Sequence, residues 1–221
     1  VHFLGQSEFD HIDKIIKLSN KVIIPNGQSF EELEFDYHKM NRKNIPVFGF
    51  CGRLDLYYKG LDLLIEASQY FDQNTVLVIA GESYGEFEKY KERIDELNLI
   101  NKIHLFIQYI PDKEVNLFFS AADVCVLPYR SATQSGIIPI CYHFDLPVMA
   151  TSVGGLKEVI EQDQTGKVLE SSDPIYIANE INSYFSHQSK QKFSPFIREY
   201  KKKLSWGNFT LRVVDLYHSV K

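Results

Sequence analysis

Residues Leu127 to Gly155 read LPYRSATQSGIIPICYHFDLPVMATSVGG, and this stretch decides the fold. Ahead of it runs Asp123-Val124-Cys125-Val126-Leu127, a short apolar segment that reads as a buried parallel strand. Pro128 stops it. The loop Arg130 to Ser135 is small and polar, and Gly136 opens an apolar run with helical character. Leu146 to Thr151 reads as the next buried strand, and Gly154-Gly155 as a tight loop before another helix. A helix beginning near Gly136 would aim the amides of Ser135, Gly136 and Ile137 at the mouth of the loop, an arrangement that attracts phosphate. Gly136 lacks a Cβ, so a ligand could come close to its backbone. Ordinary turn geometry would also place a glycine there.

Working outward, strands and helices alternate. Strands are expected at Val47–Phe50, Val76–Ala80, Ile103–Phe106 and Gly166–Leu169. Helices are expected at 61–71, 86–97, 112–119, 174–185 and 206–217. The alternation gives an α/β fold, a doubly wound parallel sheet of Rossmann-like type. Near the start, helical spacing over Phe9 to Leu18 is followed by a short strand, Val22–Ile24, and a charged linker from 28 to 45. The loop after the first central strand carries Arg53 and Lys59, at the sheet edge where open α/β folds bind ligands. Two cations there suit a diphosphate, because Arg grips two oxygens and Lys adds a point charge. As surface residues they would serve equally well.

The totals exclude several classes. A chain of 221 residues with 44% hydrophobic and 14% aromatic residues can bury a core. A net charge of −5 argues against nucleic acid as the main partner. The three cysteines, Cys51, Cys125 and Cys141, show no C-x-x-C spacing and read as core residues of a reducing, cytoplasmic compartment. No apolar run approaches the roughly 20 residues that span a bilayer, and no signal peptide is visible. The chain begins at Val1 and is read as a fragment. The first strand is followed by Gly49 to Arg53 with no G-x-G-x-x-G, against a nicotinamide site. Residues 186 to 203 are basic, with Lys201 to Lys203, which suits either a solvated helix or peripheral contact with an anionic membrane.

Several words in order resemble glycosyltransferase family 4, retaining enzymes of the GT-B fold. They are Gly52-Arg53, Lys59-Gly60, Ala122-Asp123, Leu127-Pro128, Leu146 to Thr151, Val153-Gly154-Gly155 and Glu158-Val159. The resemblance covers residues 46 to 185 well. It implies the C-terminal, nucleotide-sugar-binding half of such an enzyme. Residues 1–45 would then be the tail of an absent acceptor domain plus a linker, 46–203 the donor domain, and 204–221 a helix crossing back. The implied activity is transfer of a sugar from a nucleoside diphosphate sugar, with UDP or GDP, to a saccharide or lipid-linked acceptor in polysaccharide synthesis. The acceptor would sit mainly on the absent domain, and the fragment alone would transfer poorly.

By the same resemblance, Arg53 and Lys59 are catalytic: they hold the donor diphosphate and stabilise it as it leaves. Donor-binding residues would be Gly52, Gly81, Tyr109, Gln134, Ser135, Gly136 and Ile137, with the base read by the loop Ile107 to Ile110. Tyr109 would stack on the base, or else be a surface tyrosine. Gln108 replaces a glycine common in the family. The family commonly works without a metal or other cofactor, and no Asp-x-Asp triplet is present to place one. The chain departs from the pattern at a Glu-x7-Glu motif, where Ala132 and Ile140 stand. Gln134 and the amides from Ser135 to Ile137 would then take over the sugar and phosphate contacts. The departure leaves a second reading, a non-catalytic binding or scaffold module of a polysaccharide assembly system.

Overall fold

The computed structural model describes residues 2–3, 22–23, 47–72, 75–85, 87–187, 190–203 and 205–220. The helix expected over 9–18 and the linker over 28–45 lie outside these. At the start, β1 (His2–Phe3) pairs in parallel with β2 (Val22–Ile23).

The main sheet has six parallel strands: β3 (Val47–Cys51), β4 (Val76–Gly81), β5 (Ile103–Ile107), β6 (Val124–Leu127), β7 (Val148–Thr151) and β8 (Gly166–Leu169). Their order is β5-β4-β3-β6-β7-β8. The chain winds outward from β3 to one edge, returns to β6, and winds outward to the other. The switch point therefore lies between β3 and β6, and open sheets of this kind bind ligands outside the strand ends there. The strands β6 and β7, apolar except for Thr151, are buried throughout, as central strands covered on both faces must be. At the edge strand β5, Ile103 is buried and His104 is exposed.

Helices cover both faces: α1 (Leu61–Ala67), α2 (Glu88–Glu96), α3 (Asp112–Ala121), α4 (Ile137–His143), α5 (Leu156–Asp163), α6 (Pro174–His187), α7 (Lys190–Lys203) and α8 (Trp206–Val220). The apolar stripe of α1 is buried as its spacing dictates, with Leu61, Leu64 and Ile65 in the core. This helix is shorter than the sequence suggests. Ser68 Oγ donates to Leu64 O at 2.9 Å, competing with the backbone, and the chain tightens into a 3-10 turn over Ser68–Tyr70. β7 begins after Pro147, which has no N–H for the ladder; its carbonyl accepts from Cys125 N–H at 2.9 Å. Cys125 and Cys141 are buried in the core and form no disulfide.

The basic segment is solvated in part, with Lys202 and Lys203 exposed, and anchored in part. α7 buries Phe193 and Ile197. Lys201 Nζ donates to His143 O at 2.7 Å and to Asp145 Oδ1 at 3.0 Å, and Lys202 pairs with Glu199 at 2.6 Å. Two of its three terminal lysines thus anchor or brace the helix. The last helix, α8, leaves Trp206, Leu211 and Tyr217 exposed. No helix among the described residues is long and apolar enough to cross a membrane.

Candidate functional site

The switch point is built from three loops. Beyond β3, pairing continues: Gly52 N–H donates to Ala80 O at 3.1 Å and Leu54 N–H to Glu82 O at 2.8 Å. Leu54 is fully buried and pins the loop. Gly52 (φ +112) and Gly81 (φ +144) both take backbone conformations that favour glycine. A Cβ at Gly81 would lie 1.9 Å from Gly52 O, so the two strand ends touch backbone to backbone. Arg53 projects from this platform. Its Nε and Nη2 donate to the two carboxylate oxygens of Asp55 at 2.9 and 3.1 Å, and its guanidinium lies 5.0 Å from the Tyr84 ring. That bidentate bond holds the Asp55 carboxyl below its usual range and pushes Arg53 up. Tyr84 in turn donates to Glu82 Oε2 at 2.7 Å, and the carboxylate raises its phenol.

Lys59 ends a 3-10 turn, Tyr57–Lys59, and is only 8% exposed. A Cβ at Gly52 would lie 3.0 Å from its Nζ and 3.6 Å from Ile137 Cδ1. The ammonium, the Gly52 backbone and the start of α4 therefore meet. Lys59 thus comes close to the start of α4, and Arg53 lines the neighbouring space from its rim.

The β6–α4 loop differs in detail from expectation. The amide of Ile137 is not an open donor: it donates to Ser135 Oγ at 3.3 Å. Deep burial pushes the Tyr129 hydroxyl well up in pKa, and Ser135 opposes that shift. Tyr129 is held in turn by Thr151, which donates to its carbonyl at 2.5 Å. Gly136 caps α4 with φ −66, an ordinary helical value, and a Cβ there would meet nothing within 4 Å. Turn geometry does not require that glycine. Gln134 faces the other way, against the glycine loop. A Cβ at Gly155 would lie 2.7 Å from Gln134 Nε2, and Gly155 N–H donates to Thr133 O at 3.0 Å. Packing of Ala132–Gln134 on Gly154-Gly155 draws that side chain away from the cavity described next.

A cavity of about 340 Å³ opens at these strand ends. Gly52, Ala80 and Gly81 form its floor, and Arg53 and Tyr109 stand on its rim. Tyr109 is 63% exposed. Of the expected site residues, Gly52, Arg53, Gly81, Tyr109 and Ile137 line one space, with Lys59 at its floor glycine. Gln134, Ser135 and Gly136 are not among its lining residues. The sequence reading missed the apolar wall of Val115 and Phe118 from α3, and the Glu82–Tyr84 rim. The Phe118 ring also packs edge-on against Phe106 at 5.0 Å, so its spacing alone reads as plain core. Ile140, at one missing-glutamate position, joins this wall. Among the described residues no cluster of three or more His, Cys, Asp or Glu could hold a metal ion.

Residues 30–203 match the family described as Glycosyl transferases group 1. The chain belongs to that family. A glycosyl transferases group 1 chain of this kind has curated relatives. D-inositol 3-phosphate glycosyltransferase of Corynebacterium urealyticum is 28% identical over 186 residues, 79% of this chain and 43% of that protein. Among solved structures, Anabaena HepE in complex with UDP superposes with a TM-score of 0.84 at 17% identity, covering 99% of this chain and 63% of that one. The C-terminal domain of a Francisella tularensis group 1 family protein, LpcC, superposes at 0.57 with 22% identity, covering 78% of this chain and 88% of that domain. Likeness at such identity establishes the fold, and the doubly wound parallel sheet expected from the sequence, as in the C-terminal half of a GT-B enzyme, is the one found. The group 1 chain spans about half the length of the curated relatives it matches.

Proposed function

We propose that this chain is the donor-binding part of a retaining glycosyltransferase of family 4, which moves a sugar from a nucleoside diphosphate sugar to a saccharide or lipid-linked acceptor. One observation carries the reading: a buried lysine ammonium meets the Gly52 backbone and the start of α4 beside an apolar cavity at the sheet's switch point. In transfer from such a donor, the bond from the anomeric carbon to the terminal phosphate oxygen breaks, and the diphosphate leaves with added negative charge. Cations fixed in advance at that oxygen lower the barrier. Lys59 is fixed by burial and Arg53 by Asp55. To grip phosphate, Arg53 exchanges one carboxylate partner for another anion. The apolar walls suit a nucleoside, with Tyr109 at the lip to stack on its base.

The retained anomer, the polysaccharide setting and the acceptor rest on the family resemblance. Membership of a transferase family favours catalysis over a scaffold role, although Ala132 and Ile140 supply no carboxylate. The test is calorimetric titration of the full-length protein with UDP and with GDP. One of the two binds; binding of neither overturns the reading.

Gly136 separates ligand approach from folding. Gly136→Ala is expected to leave the melting temperature unchanged or slightly raised, since the backbone is ordinary and the space open. Nucleotide affinity should nonetheless fall, by about fivefold or more, where a phosphate comes close to that backbone. Unchanged affinity would place the phosphates elsewhere.

A further inference from the structure

Lys59 lies on a short turn, and something must hold that turn in register with the β6–α4 loop. The bonds within the turn are local: Lys59 N–H donates to Leu56 O at 2.9 Å and Gly60 N–H to Tyr57 O at 3.1 Å. From across the switch point, Arg130 hydrogen-bonds this turn from both its backbone and its side chain. Its backbone N–H donates to Tyr58 O at 2.7 Å. Its Nη1 donates to Tyr57 O at 3.0 Å and to Asp62 Oδ1 at 2.8 Å, while Nη2 donates to Asp62 Oδ2 at 2.6 Å. The guanidinium also lies 4.1 Å over the Tyr57 ring. Beside it, the Tyr58 ring packs edge-on against Tyr129 at 6.0 Å. Gly60, with φ +69, presses so closely on β6 that a Cβ there would lie 2.1 Å from Pro128 O.

This side chain uses what only arginine has. A planar fork satisfies both oxygens of one carboxylate, a spare N–H reaches a carbonyl, and a flat face stacks on a ring. It is half-buried, so the bidentate pair is less screened than one in open water. Asp62 lies in the first turn of α1, directly after the Lys59 turn. Arg130 therefore joins the end of β6, the Lys59 turn and the start of α1 at one point.

We infer that Arg130 is a positioning residue: by holding Tyr57, Tyr58 and Asp62 it fixes the Lys59 ammonium against Gly52 and the start of α4. The inference rests on the reading of this site as a nucleoside diphosphate site. Arg130 itself is not among the residues that line the cavity. It acts on phosphate through Lys59 and through the spacing between the two loops. A residue of purely structural importance would weaken binding equally whether or not Lys59 is present.

A double-mutant cycle on the full-length protein reads this difference, with calorimetric affinity for whichever of UDP and GDP the wild type binds. Lys59→Met is expected to weaken binding about tenfold and Arg130→Met about fivefold. In the Lys59→Met background, Arg130→Met should cost less than about twofold, because the group it positions is gone. Arg130→Lys keeps the charge and loses the fork; it should couple in the same way, and it takes the place of Arg130→Met if that variant does not fold. Equal losses in both backgrounds, or no loss in the wild type, overturn the positioning role and leave the site standing. If Lys59→Met leaves affinity unchanged, the site reading falls and the positioning role with it.

Discussion

Lys59→Met is expected to lower the rate of sugar transfer by about 10²–10³-fold while shifting the melting temperature little. The two halves of that expectation have different causes. Lys59 is almost buried, at 8% exposure, so its ammonium gives up much of its hydration to stand beside Gly52. An apolar group of similar shape removes that desolvation cost, which offsets the loss of the contacts the ammonium makes. The methionine keeps the stem and fills the same space. The leaving diphosphate, in contrast, gathers charge as its bond to the sugar breaks, and a fixed cation is worth most at that moment. The split between rate and stability is the signature. Steady-state kinetics of the full-length protein, with a thermal melt of the same preparation, measures both. A large fall in melting temperature with a matching loss of rate would instead make Lys59 a structural residue.

Gly81→Ala should produce the largest loss of stability of any substitution in the cavity floor, about 3 kcal/mol or more. Gly81 has φ +144, where a residue with a Cβ is strained, and the added carbon would lie 1.9 Å from Gly52 O. The carbonyl belongs to backbone that is itself bonded to Ala80 O, so it cannot swing aside without breaking the extension of the β3–β4 ladder. For a domain of this size that cost corresponds to a fall in melting temperature of about 6–12 °C. Nucleotide affinity should fall as well, since Arg53 follows Gly52 in the chain. A melting temperature within about 2 °C of the wild type would show that the strand ends are not in contact.

These two glycine positions show what a sequence does and does not reveal. Gly81 reads as a donor-binding residue through the family resemblance, and it does line the cavity. Its lack of a side chain is required first by Gly52, a neighbour on another strand that no local pattern discloses. Gly136 is the reverse case. It reads as a turn glycine or a phosphate glycine, and the ordinary φ removes the first reason.

The sheet was legible because parallel strands buried on both faces are written as unbroken apolar runs such as Val124–Leu127 and Val148-Met149-Ala150. Their alternation with amphipathic helices leaves little choice of topology. Contacts between loops were less accessible. The sequence places Lys59 and Arg53 at one sheet edge, yet gives no sign that Asp55 holds Arg53 or that Arg130 grips the Lys59 turn. Phe118 looks like any core phenylalanine, and only the fold turns part of it toward a cavity. The basic run at Lys201–Lys203 was legible in part: Lys202 and Lys203 are exposed, as a solvated helix requires, whereas Lys201 ties α7 to His143 and Asp145.

The most direct test of the account is a crystal structure of the full-length protein with UDP or GDP bound. The account predicts a base between Tyr109 and the Phe118 wall, and a diphosphate oxygen at about 2.7–3.2 Å from Lys59 Nζ. A nucleotide bound with its phosphates remote from Lys59, Gly52 and the start of α4 would contradict it.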